Sequence, residues 1–183
     1  AYGYLQGINA AAKEKNIKAD VRISHQYGSG FSASPELQQQ INGWYTNGTQ
    51  IVFACGGSMS ESVFAAAAQN RAKSIGVDVD QSGVSETVVT SAMKGLQVTI
   101  DNVLDAILDN EWDKYVGKIE NLGMESPDPA ENYVQLPEET TQWDGTFTKE
   151  YYQKLVQRMY NGEYEVFSDS TTFPETEITA TDY

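Results

Sequence analysis

The sequence has 183 residues, 40% of them apolar and 11% aromatic, which suits one well-cored globular unit and excludes a disordered or fibrous chain. A net charge of −14, with 12 basic residues scattered along the chain, opposes binding to nucleic acid or to anionic membrane surfaces. No run approaches the roughly 18 apolar residues of a membrane-spanning helix, and the single cysteine, Cys55, has no partner for an internal disulfide.

In chain order, AYGYLQGINAAAKEKN sets Leu5, Ile8 and Ala12 at helical spacing but has no polar cap before it, which predicts a helix whose first turns lie in preceding sequence. DVRISHQY alternates Val21 and Ile23 with polar residues, the pattern of a half-exposed strand. Ser34 is a natural N-cap, Pro35 suits the first helical position, and Leu37, Ile41 and Trp44 form a stripe that ends at Gly48. QIVFAC reads as a fully buried strand in which Cys55 serves as a small buried hydrophobe. GGSMSESVFAAAAQNRA reads as a glycine-pair turn into a helix, and KSIGVD as a further buried strand. This alternation predicts an α/β fold, a parallel sheet covered by helices on both faces.

ETVVTSAMKGLQVTIDNVLDAILDNEW begins as a short strand and continues as an amphipathic helix to Asn110, with Leu96, Ile100, Val103, Ile107 and Leu108 on one face. Beyond Gly117, strand-like pieces separated by Pro127, Pro129 and Pro137 suit a connection between parts of a structure. A last helix has Thr148 as N-cap, Tyr151, Leu155 and Met159 as its stripe and Gly162 as its stop. The acidic, Thr-rich tail after Phe167 is expected to be loosely held. Three parts follow: an α/β ligand-binding lobe over 1–93, a crossing with a long helix and a return strand over 94–136, and a C-terminal helix with its acidic tail over 137–183.

In an open parallel sheet, ligands bind beyond the carboxyl ends of the strands. Phe31, the pair Gly56 and Gly57, and Asp78 with Asp80 and Gln81 all fall at that edge. Phe31 is either a core residue of its loop or an aromatic face for a planar ligand. The glycine pair either allows a tight turn or presents bare backbone N–H groups to a ligand oxygen. Asp80 reads as a cap of the next turn. Asp78 is either a solvated acid or an acceptor for vicinal hydroxyls, as acids at such edges are for a ribose. Lys94 is either an ordinary surface lysine or a donor and counter-charge beside Asp78.

His25, Cys55, Ser58 and Ser60 supply base and nucleophile types, with Asp78 and Asp80 as possible acid/base or Mg²⁺ groups. No nucleophile elbow, phosphate loop or His-pair metal motif organises them, so the sequence calls for neither an enzyme nor a cofactor or metal. A ligand-sensing lobe of a transcription regulator would need a basic helix-turn-helix, and none is visible in this acidic chain.

The set GYLQGINAAAKE, YGSGFSASPELQQQINGWYTNGTQIVFACGG, IGVDVDQ and VVTSAMK resembles the basic membrane protein family of bacterial substrate-binding lipoproteins, the purine nucleoside receptors of ABC uptake systems. The resemblance covers nearly the whole chain and is most specific at the GVDxDQ stretch and the TSxxK after it. It implies a type I periplasmic-binding fold whose two lobes close on a nucleoside, with an ABC permease as partner and an extracytoplasmic, lipid-anchored location. By resemblance Phe31 stacks on the purine, Gly56 or Gly57 and Asp78 hold ribose hydroxyls, and Lys94 completes the sugar contacts. A binding protein for another small sugar-like ligand, or a sensing lobe, is the alternative. Ser58, Met59, Ser60 and Glu61 depart from the small residues, often Thr-Gly, that follow the glycine pair in the family. The resemblance also implies that this chain is the C-terminal part of the protein. The N-terminal lobe, the lipid-bearing cysteine and a second stacking aromatic would then lie outside it. The long helix would pack on that other lobe, and an uncovered stripe there leads to self-association.

Overall fold

Residues 1–24, 31–168 and 171–182 are described by the structure, a computed structural model. They form two compact units, Phe31–Glu163 and Ala1–Gly30 with Tyr164–Tyr183.

In the larger unit, Ser34 is extended and its hydroxyl accepts the Leu37 N–H at 3.1 Å, so α2 (Pro35–Thr46) begins where its cap and proline place it. Its buried residues are Leu37, Ile41 and Tyr45, one position away from the expected Trp44, which is only partly buried. The Tyr45 hydroxyl donates to the Lys73 carbonyl at 2.7 Å, so the ring enters the core with its polar end satisfied. Next to α2 lies α3 (Met59–Asn70), rich in alanine and serine on its buried side. Ser62 Oγ accepts the Ser34 N–H at 2.9 Å and donates to the Ser34 carbonyl at 3.0 Å, a contact that needs the two backbones close together.

Under these helices runs a four-stranded sheet in the order β2 (Ile51–Phe53), β3 (Lys73–Asp78), β4 (Val88–Lys94), β5 (Val134–Gln135). The first three strands are parallel, and β5 returns antiparallel beside the end of β4, with Met93 opposite Gln135. The core gathers Leu37, Ile41, Val52, Val63, Phe64 and Val88 with small alanines between them. The α/β class with parallel strands and covering helices is the architecture observed. Cys55 is corrected: it lies just past β2 and is exposed, because the strand stops at Phe53 and the chain then leaves the core.

After β4, α4 (Leu96–Leu108) buries only Ala106. The last helix of this unit, α5 (Lys149–Tyr160), is capped by Thr148, whose hydroxyl accepts the Tyr151 N–H at 3.1 Å. Its buried residues are Tyr152 and Val156, not the expected stripe of Tyr151, Leu155 and Met159. The Tyr152 hydroxyl accepts the Leu136 N–H at 3.2 Å and its ring stacks on Trp143 with centroids 5.8 Å apart, which turns the helix by one position.

The smaller unit holds α1 (Tyr2–Lys15), β1 (Asp20–Ile23) and β6 (Thr179–Asp182). Leu5 packs with Val21 and Ile23, and Tyr2 meets Phe173 edge-on at 5.6 Å. The rhythm of the sequence places β1 in one sheet with the strands that follow. Instead it forms a two-stranded parallel sheet with β6, Asp20 opposite Thr179 and Ile23 opposite Asp182. The expectation of a loose tail is corrected by that pairing: the alternating Thr-Ala-Thr-Asp stretch supplies backbone partners to a strand that would otherwise have a bare edge. Among the described residues, no helix is long and apolar enough to cross a membrane.

Candidate ligand-binding site

Three strand ends of the larger unit build the site. At the end of β3, Asp78 has φ 68°, and the Val79 N–H donates back to the Val77 carbonyl at 2.8 Å. This is a three-residue γ-turn with an aspartate at its centre, a conformation that costs of order 1–3 kcal/mol for a non-glycine residue. The turn aims the Asp78 carboxylate beyond the sheet, where it accepts from Lys94 Nζ at 2.7 Å. Lys94 ends β4, next to β3 in the sheet, so the parallel register itself brings the two side chains together. The hydrogen bond that Lys94 donates to Asp78 and the negative charge of that carboxylate raise the Lys94 pKa above its ordinary value. Both side chains remain substantially exposed, so the pair itself adds little stability and is open to a ligand.

Phe31 and the glycine pair form a second cluster. Phe31 is 66% exposed, and its carbonyl accepts the Met59 N–H at 2.9 Å and the Ser58 hydroxyl at 3.2 Å. A Cβ on Gly56 would stand 2.7 Å from Phe31 Cδ1, so only glycine lets the ring lie against the backbone. Gly57 has φ 49° and Phe31 has φ 59°. Positive φ at Asn16 and Arg71 marks ordinary helix ends. Phe31, Gly57 and Asp78 instead adopt it in turns of the site edge.

A depression of about 440 Å³ is lined by Asp78, Asp80, Lys94, Leu96, Gln97 and Asp101 among others. Asp78 and Lys94 lie in its wall, whereas Phe31, Gly56 and Gly57 do not. Asp80 takes the capping role read from the sequence: its carboxylate accepts the Ser82 N–H at 2.9 Å and the Thr140 hydroxyl at 2.7 Å. Partial burial pushes its pKa up, but the hydrogen bonds from Ser82 and Thr140 outweigh this and hold it below the usual carboxylate value.

Gln81 is turned inward rather than toward a ligand. Gln97 and Asp101 in the depression were missed in sequence because they sit in the first turns of an amphipathic helix and carry no motif of their own. His25 lies outside the described residues. Among the described residues, no group of His, Cys, Asp and Glu is arranged to hold a metal ion.

A parallel α/β unit whose strand ends carry an exposed ion pair, an exposed aromatic ring and bare glycine backbone has the form of a ligand-binding lobe. Comparison of the sequence agrees. The chain belongs to the family of ABC transporter substrate-binding proteins described as PnrA-like, whose model matches residues 1–168. It is also similar to the ABC transporter nucleoside-binding protein BmpA of Lactococcus lactis subsp. cremoris, with 26% identity over 128 residues. That match takes in 60% of this chain and 35% of the relative, so the chain spans about a third of the relative's length. The family is one of substrate-binding proteins rather than of enzymes.

Proposed function

We propose that the chain forms one wall of a nucleoside receptor that serves an ABC uptake system, with a purine nucleoside as its ligand. The observation that carries the reading is the exposed Asp78–Lys94 pair at the strand ends. A carboxylate accepts from two neighbouring hydroxyls and an ammonium donates to the same oxygens, which matches the 2′ and 3′ hydroxyls of a ribose. The exposed side chain of Phe31, whose backbone carbonyl is held by Ser58 and Met59, supplies a flat apolar face for the base. Gly57 brings exposed backbone near the same ligand, and Gly56, buried under the Phe31 ring, lets that ring lie close. Membership in the substrate-binding family and the similarity to a nucleoside-binding relative support this assignment.

In this reading residues 1–93 are the ligand-binding lobe, 94–136 cross to a second lobe that completes the cleft and come back by a return strand, and 137–183 are the C-terminal helix and acidic tail. The whole protein works outside the cytoplasm, anchored by lipid and delivering its ligand to a permease. The reading extends to assembly: the chain self-associates through α4, whose Leu96, Ile100, Ile107 and Leu108 are exposed.

Titration calorimetry with guanosine, inosine, adenosine, cytidine and free ribose tests the assignment. Purine nucleosides are expected to bind best, and Asp78→Ala to weaken them about 100-fold, the loss expected for two hydrogen bonds to a charged group. Equal binding of all five compounds, or an Asp78→Ala protein with unchanged affinity, would sink it.

A further inference from the structure

Gln81 stands three residues past Asp78 and every polar atom of its side chain is committed within the protein. Its Oε1 accepts the Val77 N–H at 2.8 Å, and its Nε2 donates to Ser60 Oγ at 3.3 Å. Ser60 Oγ in turn donates to the Gly57 carbonyl at 3.1 Å. The backbone N–H of Gln81 donates to Ser91 Oγ at 3.1 Å.

The polarity of this chain is forced. A backbone N–H only donates, so the amide must show its oxygen to Val77 and its nitrogen to Ser60. The Ser60 hydroxyl accepts there, and its own proton goes to Gly57. One side chain therefore ties together the residue before Asp78, the glycine loop beneath Phe31 and, through the Gln81 backbone, β4 three residues before Lys94.

The surroundings are built to admit that amide. Gly76 lies opposite Ser91 in the β3–β4 register, and a Cβ there would stand 2.8 Å from Gln81 Oε1. Ser60 is 1% exposed, so losing the side-chain amide takes a donor from its hydroxyl where solvent does not reach, while the bond to Ser91 runs through the Gln81 backbone. Both ends of the Gln81 amide are thus engaged inside the protein.

We propose that Gln81 is a positioning residue of the ligand edge, whose amide locks the Asp78 turn and the Gly57 loop into one arrangement before any ligand arrives. This rests on the sugar-holding reading of Asp78. The strained turn gives the proposal its purpose: a γ-turn centred on aspartate persists only where neighbouring structure over-determines it, and the Gln81 bond to Val77 is the neighbour that does so.

The test compares wild type, Gln81→Ala and Ser60→Ala with inosine and 2′,3′-dideoxyinosine, which lacks the vicinal hydroxyls. The ratio of the two affinities isolates the sugar-holding contacts from general loss of structure. Wild type is expected to prefer inosine, the ratio to fall about tenfold in Gln81→Ala, and to fall less in Ser60→Ala, which cuts the same chain at its far end. In parallel, the Cα and Cβ chemical shifts of Asp78 are expected to lose their positive-φ signature in Gln81→Ala. An unchanged ratio in folded variants overturns the proposal, and Ser60→Ala serves alone if Gln81→Ala fails to fold. A wild-type ratio of one sinks the sugar-holding reading instead. The Asp78 shifts then decide: movement supports positioning by Gln81, and unchanged shifts overturn it.

Discussion

Two helices of similar length, α3 with 12 residues and α4 with 13, each follow a strand end at the same edge of the sheet and meet opposite fates. In α3, Ser60, Ser62, Val63, Phe64, Ala66 and Ala67 are buried, whereas α4, richer in large apolar residues, buries Ala106 alone. Small residues let α3 approach α2 closely enough for Ser62 to bond the Ser34 backbone in both directions. The leucines and isoleucines of α4 instead leave Leu96, Ile100, Leu104, Ile107 and Leu108 at the surface. Apolar periodicity says that a face is to be covered, and only the neighbouring structure says whether it is.

The sharpest way to break this contrast is truncation. Phe64→Ala is expected to destabilise the larger unit by about 3–5 kcal/mol, through lost burial and the cavity left behind. Ile100→Ala, on the open face of α4, should change stability by less than about 0.5 kcal/mol. Urea melts followed by circular dichroism compare the two, and similar losses would mean that α4 is covered in solution.

Charge on the open face sharpens the same contrast from the other side. Ile100→Glu with Leu104→Glu is expected to abolish concentration-dependent growth of the light-scattering mass while leaving the melting curve within about 0.5 kcal/mol. A wild-type mass independent of concentration would remove self-association from the reading.

The α2–α3 pair rests also on its cap. Ser34→Ala removes the acceptor for the Leu37 N–H and should cost about 1 kcal/mol. Ser34→Asp, which keeps an acceptor, is expected to recover most of that loss, and no recovery would assign the effect to packing against Ser62.

The smallest effect is electrostatic. Asp80 has a depressed pKa in the folded protein, so its contribution is present above the ordinary carboxylate value of 3.8 and is lost as the pH falls through the folded value. The stability gap between wild type and Asp80→Asn should therefore be open at pH 7 and shrink below about pH 4. A gap that widens on acidification would contradict the bonds from Ser82 and Thr140.

Much of the edge was legible before the fold was known. Strand ends are where an open sheet receives a ligand, so Asp78 and the glycine pair could be placed there from chain order, whereas Phe31 follows a strand that pairs in the smaller unit and joins the glycine loop through its carbonyl bonds to Ser58 and Met59. The adjacency of Asp78 and Lys94 needed the sheet, because it follows from β3 and β4 being neighbours in register. The strain at Asp78 and the inward turn of Gln81 were not legible, since a GVDVDQ stretch reads the same whether its glutamine faces solvent or the core.

What the sequence by itself determined is therefore local: the caps at Ser34 and Thr148, the helix and strand rhythm, the α/β class and the acids at the strand ends. Each depends on residues within a few positions of one another, where backbone sterics and hydrogen-bond geometry leave few choices. The tertiary structure decided which face α2 and α5 bury, the exposure of Cys55, the pairing of the acidic tail with β1 and the commitment of Gln81. Those outcomes join residues far apart, as Tyr45 joins Lys73 and Asp20 joins Thr179. They turn on which distant partner satisfies a hydroxyl, an amide or a bare strand edge, and that is fixed only when the chain has closed on itself.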